Sequence, residues 1–327
     1  MKSLPVKSQH YNYLLKAYQE YLQITGFAPK TALRWPVHVR ELFHYLEKRN
    51  ISHITAVESN HVNDFIDHIK RRQNKSKDGG LSNSSINGII NAVNGFAKFL
   101  NSTGKYVLDL TMIREEPNTG EKNILTVEQV KELYEVTFQP YEWNSVAMGQ
   151  RDRAIIALYY GCGLRRGEGV QLNINDIDLQ KRLLFVKKAK GYKQRYVPIA
   201  ARHVNDIVDY IKEGREWFLY CHGTNDNWRS SRGRPPVKKD VDHENAFLLT
   251  HHGTRFLQPE WRLKYLLKQT SITTNITLHG LRHSIATHLL QSGMDIEEIA
   301  KFLGHSSLVS TQIYTHIVNQ LQDDERV

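Results

Sequence analysis

The chain has 327 residues, 40% of them hydrophobic, and a mean hydropathy of −0.51; it is too long for one ordinary core, so two domains are expected. No apolar run approaches the roughly 20 residues that cross a bilayer, which excludes a helical transmembrane protein. The formal charge of +10 suits a polyanionic partner, the more so because residues 181–195 hold seven Lys and Arg and no acid.

Helical periodicity begins with Tyr11, Leu14, Leu15, Tyr18 and Leu22, spaced i, i+3, i+4, i+7 and i+11 along one face. Second and third helices are expected over about 29–48 and 59–71. Residues 73–82 (QNKSKDGGLS) are polar and Gly-rich and read as a loop. A fourth helix follows, with Ile86, Ile89, Ile90, Val93, Ala97 and Leu100 on one face. These four make a small all-α domain, assigned to residues 1–117, and the aperiodic stretch 106–123 reads as the interdomain linker. Tyr11, Tyr18, Trp35 and Phe43 are expected in its core.

The remainder, 118–327, forms the second domain. Thr126, followed by Glu128 and Gln129, caps a helix start. Residues 154–160 are a buried helical run ending at Gly161 and Gly163. Short alternating strands over 183–187 and 194–198 surround AKGY as a β-hairpin. Residues 204–218 are helical, and 220–245 are polar, basic in the middle and proline-containing, a loop or insertion. Short helices over about 261–270, 279–291, 296–303 and 307–315 close the chain. The fold class is mainly α with a small β-hairpin, an α+β catalytic domain behind a helical first domain.

Chemistry gathers toward the C-terminus. Leu281, Ile285 and Leu289 form the buried stripe of the helix near His279, while His279 and Arg282 project from adjacent turns. An imidazole beside a guanidinium suits a phosphate: arginine offers a planar donor fork, and histidine a hydrogen bond or a proton shuttle. His305 follows a Leu-Gly turn, and Tyr314 comes nine residues later. A phenol with its free pKa of about 10 is a poor nucleophile, and becomes useful where a base is close and cations hold the electrophile. Taken singly, His305 reads better as a helix-capping histidine and Tyr314 as an ordinary half-buried tyrosine.

Together these residues form a pattern. HGLRHSIATHLLQSG, then LGHSS and TQIYTH, closely resembles the C-terminal signature of the tyrosine recombinases, the phage integrase family. GCGLRRGE at 161–168 is similar to that family's first arginine motif and places its arginine at Arg165. VKKAKGYKQRYVPI at 186–199 is similar to its strand–turn–strand and places its lysine at Lys190. The resemblance covers about residues 124–317 and is strongest to the Xer-type site-specific recombinases. The four helices before it are similar to the family's SAM-like core-binding domain. Ala189 stands where glycine is frequent, and Gly169 where a larger apolar residue is common; no catalytic position departs.

The resemblance implies a site-specific recombinase. Tyr314 would attack a DNA phosphodiester, forming a 3′-phosphotyrosine link and releasing a 5′-hydroxyl. Arg165 and Arg282 would hold the non-bridging oxygens, and Lys190 would protonate the leaving oxygen. His279 would accept the tyrosine proton or donate to the phosphate, His305 would add a hydrogen bond, and Glu168 would orient the site. No metal, ATP or cofactor is implied, because two arginines, a lysine and two histidines supply the charge. His279 and His283 also have the i, i+4 spacing of a zinc helix, but no nearby carboxylate or cysteine completes a ligand set.

The implied partner is double-stranded DNA with a specific recombination site, bound by a homo-tetramer or by a hetero-tetramer with a paralogous recombinase, away from any membrane. A cytoplasmic, nucleoid-associated location is expected, since only Cys162 and Cys221 occur and MKSLPVKSQHYNY has no secretory h-region. Two alternatives share the pattern. A type IB topoisomerase relaxes supercoils as a monomer, and the compact four-helix first domain argues against it. A non-catalytic DNA-binding regulator is opposed by the intact residue set.

Overall fold

Ser8 opens the first helix, its hydroxyl accepting the Tyr11 amide and so filling one of the unpaired N–H groups of a helix start. Helix α1 (Gln9–Ile24) buries Tyr11, Leu14, Leu15, Tyr18 and Leu22, the five residues its periodicity selects. Helix α2 (Pro29–Glu47) begins with proline, tolerated where no intrahelical acceptor exists. Helices α3 (Ser59–Arg71) and α4 (Asn83–Ser102) complete this unit. The computed structural model describes residues 4–74, 78–104, 112–116, 123–139, 145–187, 194–219 and 244–305, and the chain divides into two units, Met1–Gly120 and Glu121–Val327.

Aromatic rings fill the first core. Tyr11 stacks on Phe43 at 4.0 Å between centroids, and Phe96 stands edge-on to Tyr18 (5.3 Å) and Phe43 (5.4 Å). The buried phenols keep partners: Tyr11 donates to the Ile51 carbonyl (3.0 Å) and Tyr18 to that of Ala92 (3.1 Å). Trp35 packs at the edge, partly buried.

Residues 112–116, within the stretch expected to be linker, lie along α4 instead. The Asn83, Asn87 and Asn94 amides donate to the carbonyls of Glu116, Glu115 and Met112 (2.7, 2.8 and 3.2 Å), and Arg114 donates to Asn91 (3.0 Å). Asparagines at i, i+4 and i+11 thus satisfy a backbone that has no apolar periodicity of its own, and the one at i+8 holds the Arg114 side chain.

In the second unit, α5 (Val127–Glu135) starts with a reciprocal Thr126–Gln129 box, at 3.2 and 3.0 Å. Helix α6 (Ser145–Ile156) runs on through a π turn, Ala157–Gly161, and is buried from Ala154 to Tyr160. Helix α7 (Arg166–Gln171) is only six residues long. Strands β1 (Ile177–Asp178), β2 (Leu183–Val186) and β3 (Arg195–Pro198) form an antiparallel sheet in that order, with register Leu183↔Pro198 through Val186↔Arg195. The expected hairpin is present, and β1 adds a third strand.

Helix α8 (Ala201–Asp209) is prolonged by a second π turn, Tyr210–Gly214. Helices α9 (Glu260–Leu267), α10 (Leu278–Gln291) and α11 (Ile296–Leu303) follow. Helix α10 packs on the 157–161 turn, with Leu158, Tyr159 and Leu281 fully buried. The insertion expected over 220–245 and the last helix, over 307–315, fall outside the described residues except for 244 and 245. The architecture is mainly α with one small sheet, and no described helix is long and apolar enough to cross a membrane.

Phe96 is wholly buried between two rings, so Phe96→Ala should cost about 3–5 kcal/mol. Tyr13→Ala, at a ring 69% exposed, should change stability by less than about 0.5 kcal/mol. Urea denaturation followed by circular dichroism measures both; equal losses would contradict the core described.

Candidate active site

Arg165 precedes α7 and caps it. Its backbone N–H donates to Glu168 Oε2 (2.8 Å) and its Nη1 to Glu168 Oε1 (2.9 Å). The same guanidinium reaches the end of α11, through Nη1 to the Leu303 carbonyl (3.4 Å) and Nη2 to that of Gly304 (2.9 Å).

Arg282, in the second turn of α10, is 1% exposed. Its Nη2 donates to the same Leu303 carbonyl (2.7 Å) and its Nη1 to the Gly163 carbonyl (2.5 Å), 3.9 Å from Glu168 Oε2. The two arginines named by the sequence therefore converge on one oxygen. Gly163 makes the approach possible: it turns the chain at φ +57, and a Cβ there would meet Leu303 at 2.9 Å.

A third guanidinium completes the cluster. Arg195 of β3 forks Glu168, Nη1 to Oε1 and Nη2 to Oε2, both at 3.0 Å, and its Nε donates to the Phe302 carbonyl (3.1 Å). Three successive carbonyls at the end of α11 thus accept from arginines. Carbonyls at a helix C-terminus lack intrahelical donors, and positive charge is favoured there.

Gly304 ends α11 in the left-handed region at φ +65, and a Cβ would lie 2.8 Å from Arg195 Cδ. The Leu-Gly turn is required both by the backbone and by the arginine against it.

His305 follows, its N–H on the Ala300 carbonyl (2.9 Å). Burial first, and then the positive fields of Arg282, Arg165, Arg195 and His279, push its imidazole down to about 4. It is a neutral ring at pH 7. His279 is exposed in the first turn of α10, a turn capped by Thr277 on the Gly280 amide (3.1 Å). It stands edge-on to His283, centroids 4.4 Å apart. Burial raises the Glu168 carboxyl, but Arg195 and Arg165 outweigh it and hold the group below the usual carboxylate range. With Glu168 ionised, three guanidiniums around one carboxylate leave a surplus of positive charge beside two histidines, a field that attracts an anion.

Arg165, His279, Arg282 and His305 thus share one neighbourhood, whereas Lys190 and Tyr314 lie outside the described residues. The pair Val186↔Arg195 closes the hairpin that carries Lys190 in sequence. Arg195 was missed by sequence reasoning, which grouped it with a basic, polyanion-facing stretch. Alternation offered a signal: Arg195 and Val197 share a face of β3, and Val197 is fully buried. The glycine at 169 also has a local reason, since a Cβ there would come within 2.6 Å of the Tyr159 hydroxyl.

Residues 123–320 match the phage integrase family, and residues 15–104 match the phage integrase N-terminal SAM-like domain. Tyrosine recombinase XerC of Oceanobacillus iheyensis is 30% identical over 315 residues, 93% of this chain and 91% of that one. Tyrosine recombinase XerD of Mycobacterium tuberculosis is 30% identical over 305 residues, 92% of each chain. Among solved structures, the XerH site-specific recombinase bound to a palindromic difH substrate aligns with a TM-score of 0.66 at 19% identity, over 100% of this chain and 90% of that one. The Tn1549 transposon integrase aligns at 0.61 and 17%, over 92% and 94%. These two likenesses are of fold.

The unfolded chain takes up the His305 proton near the ordinary 6.5 and the native one near 4. The native state therefore binds fewer protons between those values, and stability attributable to this group falls as pH drops through that window. A ¹H–¹³C NMR titration should find the His305 ring neutral at pH 6. Half-protonation near pH 6.5 would contradict the burial and the charge cluster.

Proposed function

The chain belongs to the phage integrase family, the tyrosine recombinases that break and rejoin DNA strands, and on that footing we propose how its residues divide the work of site-specific recombination. Tyr314 attacks the scissile phosphorus. The bond from phosphorus to the 5′-oxygen breaks, the phosphate remains on the tyrosine as a 3′-phosphodiester, and the leaving oxygen takes a proton from Lys190. Arg165 and Arg282 hold the non-bridging oxygens and meet the charge that grows in the pentacoordinate state, which is where phosphoryl transfer most needs help. His305, a neutral ring, donates a hydrogen bond to the same phosphate. His279 takes the tyrosine proton or donates to the phosphate. Glu168 orients the arginines without touching DNA.

The observation that carries this reading is the convergence of Arg165 and Arg282 on the Leu303 carbonyl, with Glu168 against both. Donors aimed at one oxygen from two elements are the arrangement a phosphate oxygen requires. The covalent link conserves the phosphodiester, so rejoining to another 5′-hydroxyl needs no ATP. That separates recombination from nuclease chemistry. The XerH and Tn1549 integrase structures are DNA complexes, which supports duplex DNA as the substrate. Two duplexes, each cut in both strands, call for four protomers, either alike or shared with a paralogue, working in the cytoplasm at the nucleoid. We read residues 1–117 as the core-binding domain and 118–327 as the catalytic domain.

Denaturing lysis and pull-down of the protein should recover DNA covalently attached at a discrete site from wild type and none from Tyr314→Phe. A site at a replication terminus would assign replicon dimer resolution, and a site at a mobile-element end would assign integration or excision. Arg165→Ala and Arg282→Ala should each slow single-turnover cleavage of the recovered site by about 10²–10³-fold. Covalent DNA recovered equally from Tyr314→Phe would show that another residue is the nucleophile.

A further inference from the structure

We propose that Arg195 is a positioning residue for the reaction, acting through Glu168 and the end of α11 on Arg165 and His305; the inference rests on the assignment of those two residues made above. Its side chain is only 9% exposed, and Nε, Nη1 and Nη2 all donate to protein acceptors. It is built into the protein and does not face the substrate.

Each oxygen of Glu168 is shared. Oε1 accepts from Arg165 Nη1 and Arg195 Nη1, and Oε2 from the Arg165 backbone N–H and Arg195 Nη2. The Arg195 fork fixes the plane of the carboxylate, and that plane fixes the Arg165 guanidinium. Without the fork the carboxylate can turn with Arg165, and the donor loses its aim. On its other side Arg195 holds the Phe302 carbonyl and lies against Gly304, the residue before His305.

One planar group therefore sets the distance between the α7 start and the α11 end. It does so from a β-strand, paired with Val186, which is a rigid base. A lysine keeps the charge but is a single point and cannot fork both oxygens while reaching Phe302. The role is one of geometry, and charge alone does not fill it.

The test uses the full-length chain as Arg195→Lys, Glu168→Gln and the double variant. The DNA is a duplex carrying the site recovered by covalent capture, made with an ordinary phosphodiester or with a 5′-bridging phosphorothiolate, whose thiolate leaves without a proton. Thermal denaturation and non-covalent DNA binding are measured beside single-turnover formation of the covalent adduct. Arg195→Lys should bind DNA within about threefold of wild type and cleave about 10²-fold more slowly, the scale of a misplacement near 1 Å. The double variant should be no slower than the slower single variant, because both changes disable the same unit. The phosphorothiolate should leave the Arg195→Lys deficit in place.

Three results overturn the proposal: wild-type cleavage by Arg195→Lys, a double-variant loss equal to the product of the single losses, or full rescue by the phosphorothiolate, which would place the effect on the Lys190 proton. Should Arg195→Lys unfold, Arg195→Met enters the same cycle. Arg165→Ala separates the two readings. If it cleaves at the wild-type rate, the phosphate assignment itself fails. If it is slow while Arg195→Lys is not, only the positioning role fails.

Discussion

A carboxylate taken out of water costs several kcal/mol unless its lone pairs are filled. Glu168 fills them with the backbone N–H of Arg165 and with the guanidiniums of Arg165 and Arg195. Those bonds do more than stabilise an ion. They tie the start of α7 to β3, and the same two arginines continue to the carbonyls of 302–304 at the end of α11. Arg282 joins from α10 on the Leu303 carbonyl. The start of α7, strand β3 and the α10–α11 pair are thereby set against one another by arginines gathered around a single buried anion.

The electrostatic consequence follows from the imbalance of that cluster. One carboxylate neutralises one guanidinium, and the surplus acts on whatever lies beside it. His305 lies in that field: burial first, and then the surrounding cations, push its imidazole down to about 4. A neutral imidazole there can donate to a phosphate without adding to the repulsion among the arginines. Under the proposed function, a phosphate would supply the negative charge the cluster lacks, to donors already held in place by protein acceptors.

The legible parts of the fold were those written in apolar periodicity. Tyr11 through Leu22 and Ile86 through Leu100 each marked one buried helical face, and the alternation around AKGY marked the two paired strands to within a residue. The parts that were not legible rest on other interactions. Helix α7 is six residues, too short for a period to show. The attachment of 112–116 rests on asparagine amides meeting backbone carbonyls, with Met112 packed against the core, too little apolar pattern to read in the sequence. In the site, Arg165, His279, Arg282 and His305 were named as candidates by their motifs, and the structure brings those four together. Arg195 escaped because a basic residue in a basic stretch reads as solvent-facing, and only its partner across the fold, Glu168, turns it inward.

The central claim is that the arginines gathered by Glu168 are a phosphate site. A crystal structure of the chain with site DNA and vanadate at the scissile position tests it most directly. Arg165, Arg282 and His305 should lie within hydrogen-bonding distance of the vanadate oxygens, with the Tyr314 oxygen at an apical position and Glu168 still forked by Arg195. Vanadate bound elsewhere, with Arg165 and Arg282 remaining on the Leu303 and Gly304 carbonyls alone, would contradict the account.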